Sequence, residues 1–172
     1  NVFNDYFTHV GPKLAEKLEY ENHFSFRDFI PQHEPVERLS FQPLNVATVY
    51  RLITKLNVSK ATGIDEISAK VLKAAAPSIA EPLTRIFTMS IVSDKFPAEW
   101  EVARVTPIFK KGQRSMLNNY RPISISPVVS KLMERILYDQ MFDYLKKQNI
   151  LLEHQFGFRK FHSKTTTLLD FT

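Results

Sequence analysis

A mainly helical α+β fold with one basic β-hairpin near its middle is what this sequence predicts, on three observations. Apolar residues recur at helical spacing through most of the chain, as in Val128/Val129, Leu132/Met133, Ile136/Leu137, Met141 and Tyr144/Leu145. Between residues 102 and 126 that period gives way to β-rich segments, VARVTPIF and then RPISIS, on either side of a polar, basic stretch. The charge is also uneven. Residues 1–100 hold 11 Lys/Arg against 12 Asp/Glu, whereas residues 101–164 hold 12 against five.

The elements follow in order. Val2, Phe3, Tyr6, Phe7, Val10, Leu14 and Leu18 place a helix over 2–20, which Gly11-Pro12 should break or kink. Residues 21–36 read as a connecting loop, with Phe24, Phe26 and Phe29 available to pin it. A helix is expected over 43–56, with Pro43 in its first turn and an apolar stripe of Leu44, Val49, Ile53 and Leu56. The loop 59–68, SKATGIDEIS, is punctuated by Gly63. Ser68 is placed to cap a helix running to about Ala76, which Pro77 should end. A longer helix follows from about Ser78 to Ser93, with Pro82 in its first turn and Ile79, Leu83, Ile86, Phe87 and Ile91 on one side. PAEW, 97–100, reads as a short helical turn with Trp100 as a core plug. The segments within 102–126 read as an irregular hairpin in which Pro107 and Pro122 demand edge positions or breaks. The surest helix spans 127–148, with Lys146 and Lys147 in its last turn, where they complement the helix dipole. QFGFRKFHSKTT, 155–166, is a basic-aromatic loop, with Gly157 offering a positive φ or close backbone approach. A further helix begins over 165–171.

Composition excludes several classes of function. With 172 residues, 44% of them hydrophobic, the chain supplies one domain or a large part of a bigger one. The absence of cysteine removes a disulfide framework, a thiolate zinc site and a cysteine nucleophile. The five histidines have no ligand spacing. No apolar run approaches the ~20 residues of a membrane span, and the opening residues read as an amphipathic helix rather than a signal peptide, so a soluble protein without a membrane partner is expected. Asn1 in place of methionine, and a last helix only just begun, predict a piece of a longer chain.

The basic block is the footprint of phosphate or nucleic-acid contact. Lys110 and Lys111 precede Gly112 at the turn of the expected hairpin, and Arg121 opens the returning segment. Pairing would bring these cations to one end. Arg104 lies six positions before Lys110, an even separation that puts both on one strand face unless Pro107 upsets the register. Lysine offers a compact charge and arginine a bidentate fork for phosphate oxygens. The loop Lys60-Ala61-Thr62-Gly63-Ile64-Asp65 is not a phosphate-cradling GxxxxGK[ST] loop. Asp65 is better read as fixing the loop by accepting backbone hydrogen bonds than as a metal ligand.

Four stretches, SKATGIDEIS (59–68), FPAEWEVARVTPIFKKG (96–112), NYRPISISPVVSKLMERI (119–136) and LLEHQFGFRKFHSKTTTLLDF (151–171), together resemble the reverse transcriptases of non-LTR, LINE-type (jockey-like) retrotransposons. The family pattern runs KA-G-D-I, FP--W, PI-KKG, NYRPIS, SK--E and Q-GFR---ST, in that order and with similar spacing. The resemblance covers roughly residues 43–171. It implies a right-hand polymerase, of which this chain would be the fingers and the start of the palm, truncated. Residues 1–36 would be an N-terminal helix and linker preceding the polymerase, and residues 37–172 an incomplete domain. The hairpin would be the fingertip pair that closes over the incoming nucleotide, and the helix 127–148 would bridge fingers and palm.

By the same resemblance, Lys110 and Arg121 touch the nucleoside triphosphate, with Lys111 and Arg104 in support. Arg159, Lys60 and Lys164 face the template, although Lys164 stands where the family has threonine in HST. The implied partners are an RNA template, a DNA primer, a deoxynucleoside triphosphate and the remaining palm and thumb; the complete enzyme would use Mg2+ inside the cell, in nucleus or cytoplasm. The family's metal-binding aspartates lie in D-SKAFD and -ADD strings that do not occur here, and Asp170 lies too early. The chain alone is therefore expected to be inactive, with no catalytic or metal site of its own. A stand-alone nucleic-acid-binding module, or a relic without function, would leave the same residues in place.

Overall fold

The computed structural model describes residues 1–17, 37–151 and 157. The expectations for Phe24, Phe26 and Phe29, for Arg159 and Lys164, and for a helix over 165–171 lie outside the described residues.

Helix α1 (Val2–Ala15) opens on Asn1, whose side chain accepts the Phe3 N–H at 3.2 Å. Gly11-Pro12 does not break it: the helix continues to Ala15, and the Glu16 N–H donates to the Pro12 carbonyl at 3.0 Å. Proline removes one donor, and the Thr8 carbonyl that would have accepted from it belongs to an exposed residue, so water can satisfy it.

Helix α2 (Val46–Thr54) starts three residues beyond Pro43. Asn45 is the reason: its Oδ1 accepts the Thr48 N–H at 2.7 Å and stops the helix from extending backwards. Ser68 caps α3 (Ala69–Ala74) as expected, accepting the Val71 N–H at 3.3 Å. Pro77 does not so much end α3 as open α4 (Ala76–Ser93), where its missing N–H belongs to the unbonded first turn. The earlier start carries Pro82 beyond the first turn, on the exposed side of the helix. Asp94, at φ 53°, closes α4 in the left-handed conformation, and the Lys95 N–H reaches back to the Ser90 carbonyl at 3.1 Å.

The expected face of α4 holds in part: Phe87 is buried and Ile79, Leu83 and Ile91 are half-buried, whereas Ile86 is 43% exposed and the other buried positions are Ala76, Ala80, Thr84 and Ser90. Small side chains let α2 approach α4 closely and enclose Val49 and Ile53 completely. Thr84 is tolerated there because its hydroxyl donates to the Ala80 carbonyl at 2.7 Å. Trp100, in the short helix α5 (Ala98–Glu101), is half-buried and sets its ring edge-on against Phe87 at 5.7 Å and Phe96 at 6.0 Å.

Strands β1 (Arg104–Phe109) and β2 (Tyr120–Ile125) pair antiparallel through six continuous rungs, so the hairpin is regular where an irregular one was expected. Pro107 faces Pro122. In an antiparallel ribbon every second rung exchanges no hydrogen bonds, and two prolines on such a rung remove nothing from the ladder. Helix α6 (Val128–Lys147) follows from the fully buried Pro127 and buries Val128, Val129, Leu132, Met133 and Ile136.

Gly63 is buried because backbone passes directly over it. A Cβ there would lie 2.6 Å from both Cα and N of Pro127. Its φ is ordinary, so space and not conformational freedom demands glycine. Positive φ among described glycines belongs to Gly112, at 91°, and a Cβ on Gly157 would meet nothing within 4 Å; neither property expected of Gly157 is found.

The chain forms two compact units. Among the described residues, the first comprises 1–17 and 43–135, and the second 37–42, 136–151 and 157. Within the second, residues 37–42 lie along α6. The Gln140 carboxamide accepts the Gln42 N–H at 2.7 Å and donates to the Gln42 carbonyl at 3.3 Å, the Tyr144 hydroxyl donates to the Glu37 carbonyl at 2.7 Å, and Lys147 pairs with the Glu37 carboxylate at 3.1 Å. Among the described residues no helix is long and apolar enough to cross a membrane.

Two glycine substitutions should act in opposite directions. Gly63→Ala must displace main chain and should destabilise the protein by about 2 kcal/mol or more. Gly11→Ala, inside α1 with open space around it, should stabilise it by about 0.5–1 kcal/mol. Urea denaturation of the two variants checks both signs.

Candidate functional site

The register of the hairpin sorts its side chains. Arg104, Thr106 and Ile108 share one face with Arg121, Ile123 and Ile125; Val105, Pro107 and Phe109 share the other with Tyr120, Pro122 and Ser124. Lys110 extends the first face by one rung, since its N–H donates to the Asn119 carbonyl at 2.8 Å. One face is thus cationic and the other aromatic.

Lys110 and Arg121 are diagonal neighbours across the ladder at its turn end, a relation that sets the two residues roughly 7–8 Å apart. Both are exposed, and among the described residues neither side chain has a hydrogen bond or an ion pair. Ile108 and Ile123, 49% and 47% exposed, stand beside them. No carboxylate occurs anywhere from residue 102 to residue 133. The positive potential of this face is therefore not offset from within its own segment, which favours an anionic ligand. Lys111 is exposed at the turn.

Arg104 lies elsewhere. It shares the face but sits at the opposite end, roughly 20 Å from Lys110 along the strand at ~3.3 Å per residue. Its guanidinium donates to the Thr62 carbonyl at 3.1 Å. Arg104 therefore ties the 59–68 loop to the hairpin, a role that the even spacing from Lys110 did not reveal. Within that loop Asp65 does accept a backbone hydrogen bond, from the Ile67 N–H at 3.3 Å. Lys60 is exposed and lines a cleft of about 430 Å³ with Lys131 of α6, over an apolar floor that includes Leu56, Ile123, Ile125 and Val128. Lys131 was not singled out from the sequence. Its place in the SK--E string was the available signal, but helical spacing alone does not tell which face of α6 meets the loop.

The turn is held from within. Asn119 Nδ2 donates to the Gln113 carbonyl at 2.9 Å, and the Tyr120 hydroxyl donates to the Arg114 carbonyl at 2.9 Å. A Cβ at Gly112 would lie 2.7 Å from Asn119 Nδ2, so its positive φ and its bareness are both needed. Arg114 stacks its guanidinium 4.8 Å over the Phe109 ring. Asn119 and Tyr120, the first residues of NYRPIS, thus shape the loop that presents Lys110 and Lys111. Among the described residues no group of three His, Asp or Glu side chains is placed to hold a metal ion.

No family model matches the chain. It is 33% identical over 126 residues to the probable RNA-directed DNA polymerase from transposon BS of Drosophila melanogaster, covering 73% of this chain and 14% of that protein. It is 34% identical over 123 residues to the probable RNA-directed DNA polymerase from transposon X-element of the same organism, covering 71% and 13%. It is 30% identical over 124 residues to the RNA-directed DNA polymerase from mobile element jockey of Drosophila melanogaster, covering 70% and 14%. The chain spans about 14% of the length of these curated relatives.

Asn119→Ala should loosen the turn without touching the helices. A cost of about 1 kcal/mol is expected for the lost hydrogen bond, with faster amide exchange across residues 110–119 and unchanged exchange in α4. Equal acceleration in both would show that Asn119 does not act locally.

Proposed function

We propose, on the premise that this chain is homologous to a segment of the RNA-directed DNA polymerases, or reverse transcriptases, of non-LTR retrotransposons, that it forms the fingers and the first edge of the palm of such an enzyme. In this reading the hairpin grips the incoming deoxynucleoside triphosphate. One observation carries it: Lys110 and Arg121 share the exposed face of one ribbon at its turn end, in a segment without a carboxylate.

In the polymerase reaction a primer hydroxyl attacks the α-phosphate and pyrophosphate leaves. Negative charge on the leaving phosphates is stabilised by cations already aimed at them. Lys110 would supply a point charge and Arg121 a planar fork to the triphosphate oxygens, with Lys111 within reach from the turn. Arg104 would contribute indirectly, by holding the 59–68 loop. On the template side, Lys60 and Lys131 flank a cleft whose apolar floor suits sugar and base while the lysines meet phosphates. Arg159 and Lys164 extend this assignment by resemblance.

Mg2+ supplies Lewis-acid chemistry to the complete polymerase when bound between carboxylates. The described residues do not fit that group. RNA template, DNA primer, nucleotide and the palm and thumb of the same polymerase are the proposed partners, in the nucleus or cytoplasm. The chain by itself is proposed to bind nucleic acid but not to polymerise.

Two measurements test this reading. In the complete polymerase, Lys110→Ala with Arg121→Ala should raise KM for deoxynucleotide at least tenfold and leave template-primer affinity within about threefold; unchanged nucleotide kinetics would refute the grip. Binding of single-stranded RNA by this chain should weaken with salt. Lys60→Ala with Lys131→Ala should lower the slope of log affinity against log salt by about 1.4, at ~0.7 per phosphate contact. An unaltered slope would remove the cleft from the template path.

A further inference from the structure

The aromatic face of the hairpin is as ordered as the cationic one. Phe3 and Phe7, one turn apart on α1, stack with ring centroids 6.0 Å apart. Phe3 sets its ring against Tyr120 at 4.8 Å and 67°, Tyr120 meets Phe109 at 5.4 Å and 62°, and Arg114 covers Phe109 at 4.8 Å. A chain of π contacts therefore runs from the N-terminal helix across the back of the ribbon to the turn. Phe3 and Phe7 also line a hollow of about 250 Å³ with Val105 and Pro107.

None of the residues of α1 is fully buried. Its half-buried residues, Phe3, Tyr6, Phe7 and Val10, occupy the i, i+3, i+4, i+7 positions of one face. The helix therefore adds little to the central core. An isolated two-stranded ribbon is marginal in water unless something packs on it, and α1 packs on this one.

We infer that α1 is a positioning element of the hairpin, in which Phe3, seated against Tyr120, sets the direction in which the adjacent Arg121 is presented to its ligand. Consecutive strand residues project to opposite faces, so a contact that holds the Tyr120 ring on the back holds the backbone from which Arg121 leaves on the front. The Tyr120 hydroxyl, bonded to the Arg114 carbonyl, carries the same restraint into the turn before which Lys110 stands. The ligand in this inference is the nucleotide of the proposed function, and the inference rests on that reading. Phe3 acts through Tyr120 and is not itself a catalytic residue.

The test uses the complete polymerase carrying this segment, with Phe3→Ala, Phe3→Leu, Arg121→Ala and the Phe3→Ala/Arg121→Ala double variant. Phe3→Ala should raise KM for deoxynucleotide about fivefold, with kcat and template-primer affinity within about twofold, and Phe3→Leu should recover most of the loss. The double variant should be no worse than Arg121→Ala, since both changes disable one device. An unchanged KM in Phe3→Ala beside a raised KM in Arg121→Ala overturns the inference and leaves the nucleotide grip standing. No effect of Arg121→Ala overturns the grip and, with it, the ligand named here. Hydrogen exchange then decides the positioning itself. Phe3→Ala should speed exchange at residues 104–109 and 120–125 about tenfold while α4 is unaffected. Unchanged exchange in the strands, or equal acceleration in α4, overturns it.

Discussion

The rung at which Pro107 meets Pro122 governs the arrangement of the candidate site. Proline has no N–H to give, so this rung must be one of those that exchange no hydrogen bonds. That requirement fixes the phase of the ladder, and the phase fixes which side chains share a face. A slip of one residue would place a proline where the ladder needs a donor. It would also carry the side chains of one strand to the opposite face, so that Lys110 and Arg121 would no longer look the same way. Cationic front and aromatic back are two results of one register.

The three arginines of the hairpin region divide the work. Arg104 is held by the Thr62 carbonyl and binds the 59–68 loop to the ribbon. Arg114 lies over Phe109 and closes the back of the turn. Arg121, with Lys110, is left facing outward. The loop that Arg104 secures is also pressed against Pro127 at Gly63, at the junction of β2 and α6. Ribbon, loop and the start of α6 therefore meet around the cleft that holds Lys60 and Lys131. These parts are neighbours within one compact unit.

Much of the layout was legible in the residue order. The change of period near residue 102 marked the hairpin, Ser68 marked the start of α3, and the four-residue recurrence after Pro127 marked α6. What escaped had physical reasons. Asn45 outcompeted Pro43 as a helix start because a side-chain acceptor within reach of the Thr48 N–H is a stronger boundary than a permitted proline. Apart from Phe87, the buried stripe of α4 is made of small side chains, Ala76, Ala80, Thr84 and Ser90, which a pattern of large apolar residues does not mark. The tether at Arg104 and the contact at Gly63 join positions 42 and 64 residues apart in sequence, and no local pattern encodes them. The face that joins Lys110 and Arg121 was legible only in outline, since a rule of even spacing grouped Arg104 with Lys110 without telling how far apart they stand.

The opposed prolines have one more effect, on neighbours rather than on the ribbon itself. Among the described residues no third strand joins the ribbon, which leaves two margins, each a row of groups able to accept another strand. On the rung where proline sits, the missing N–H would have pointed outward, away from the partner strand. Each margin is thus interrupted midway by an imide that cannot donate. A second polypeptide laid alongside would find its hydrogen bonding broken there.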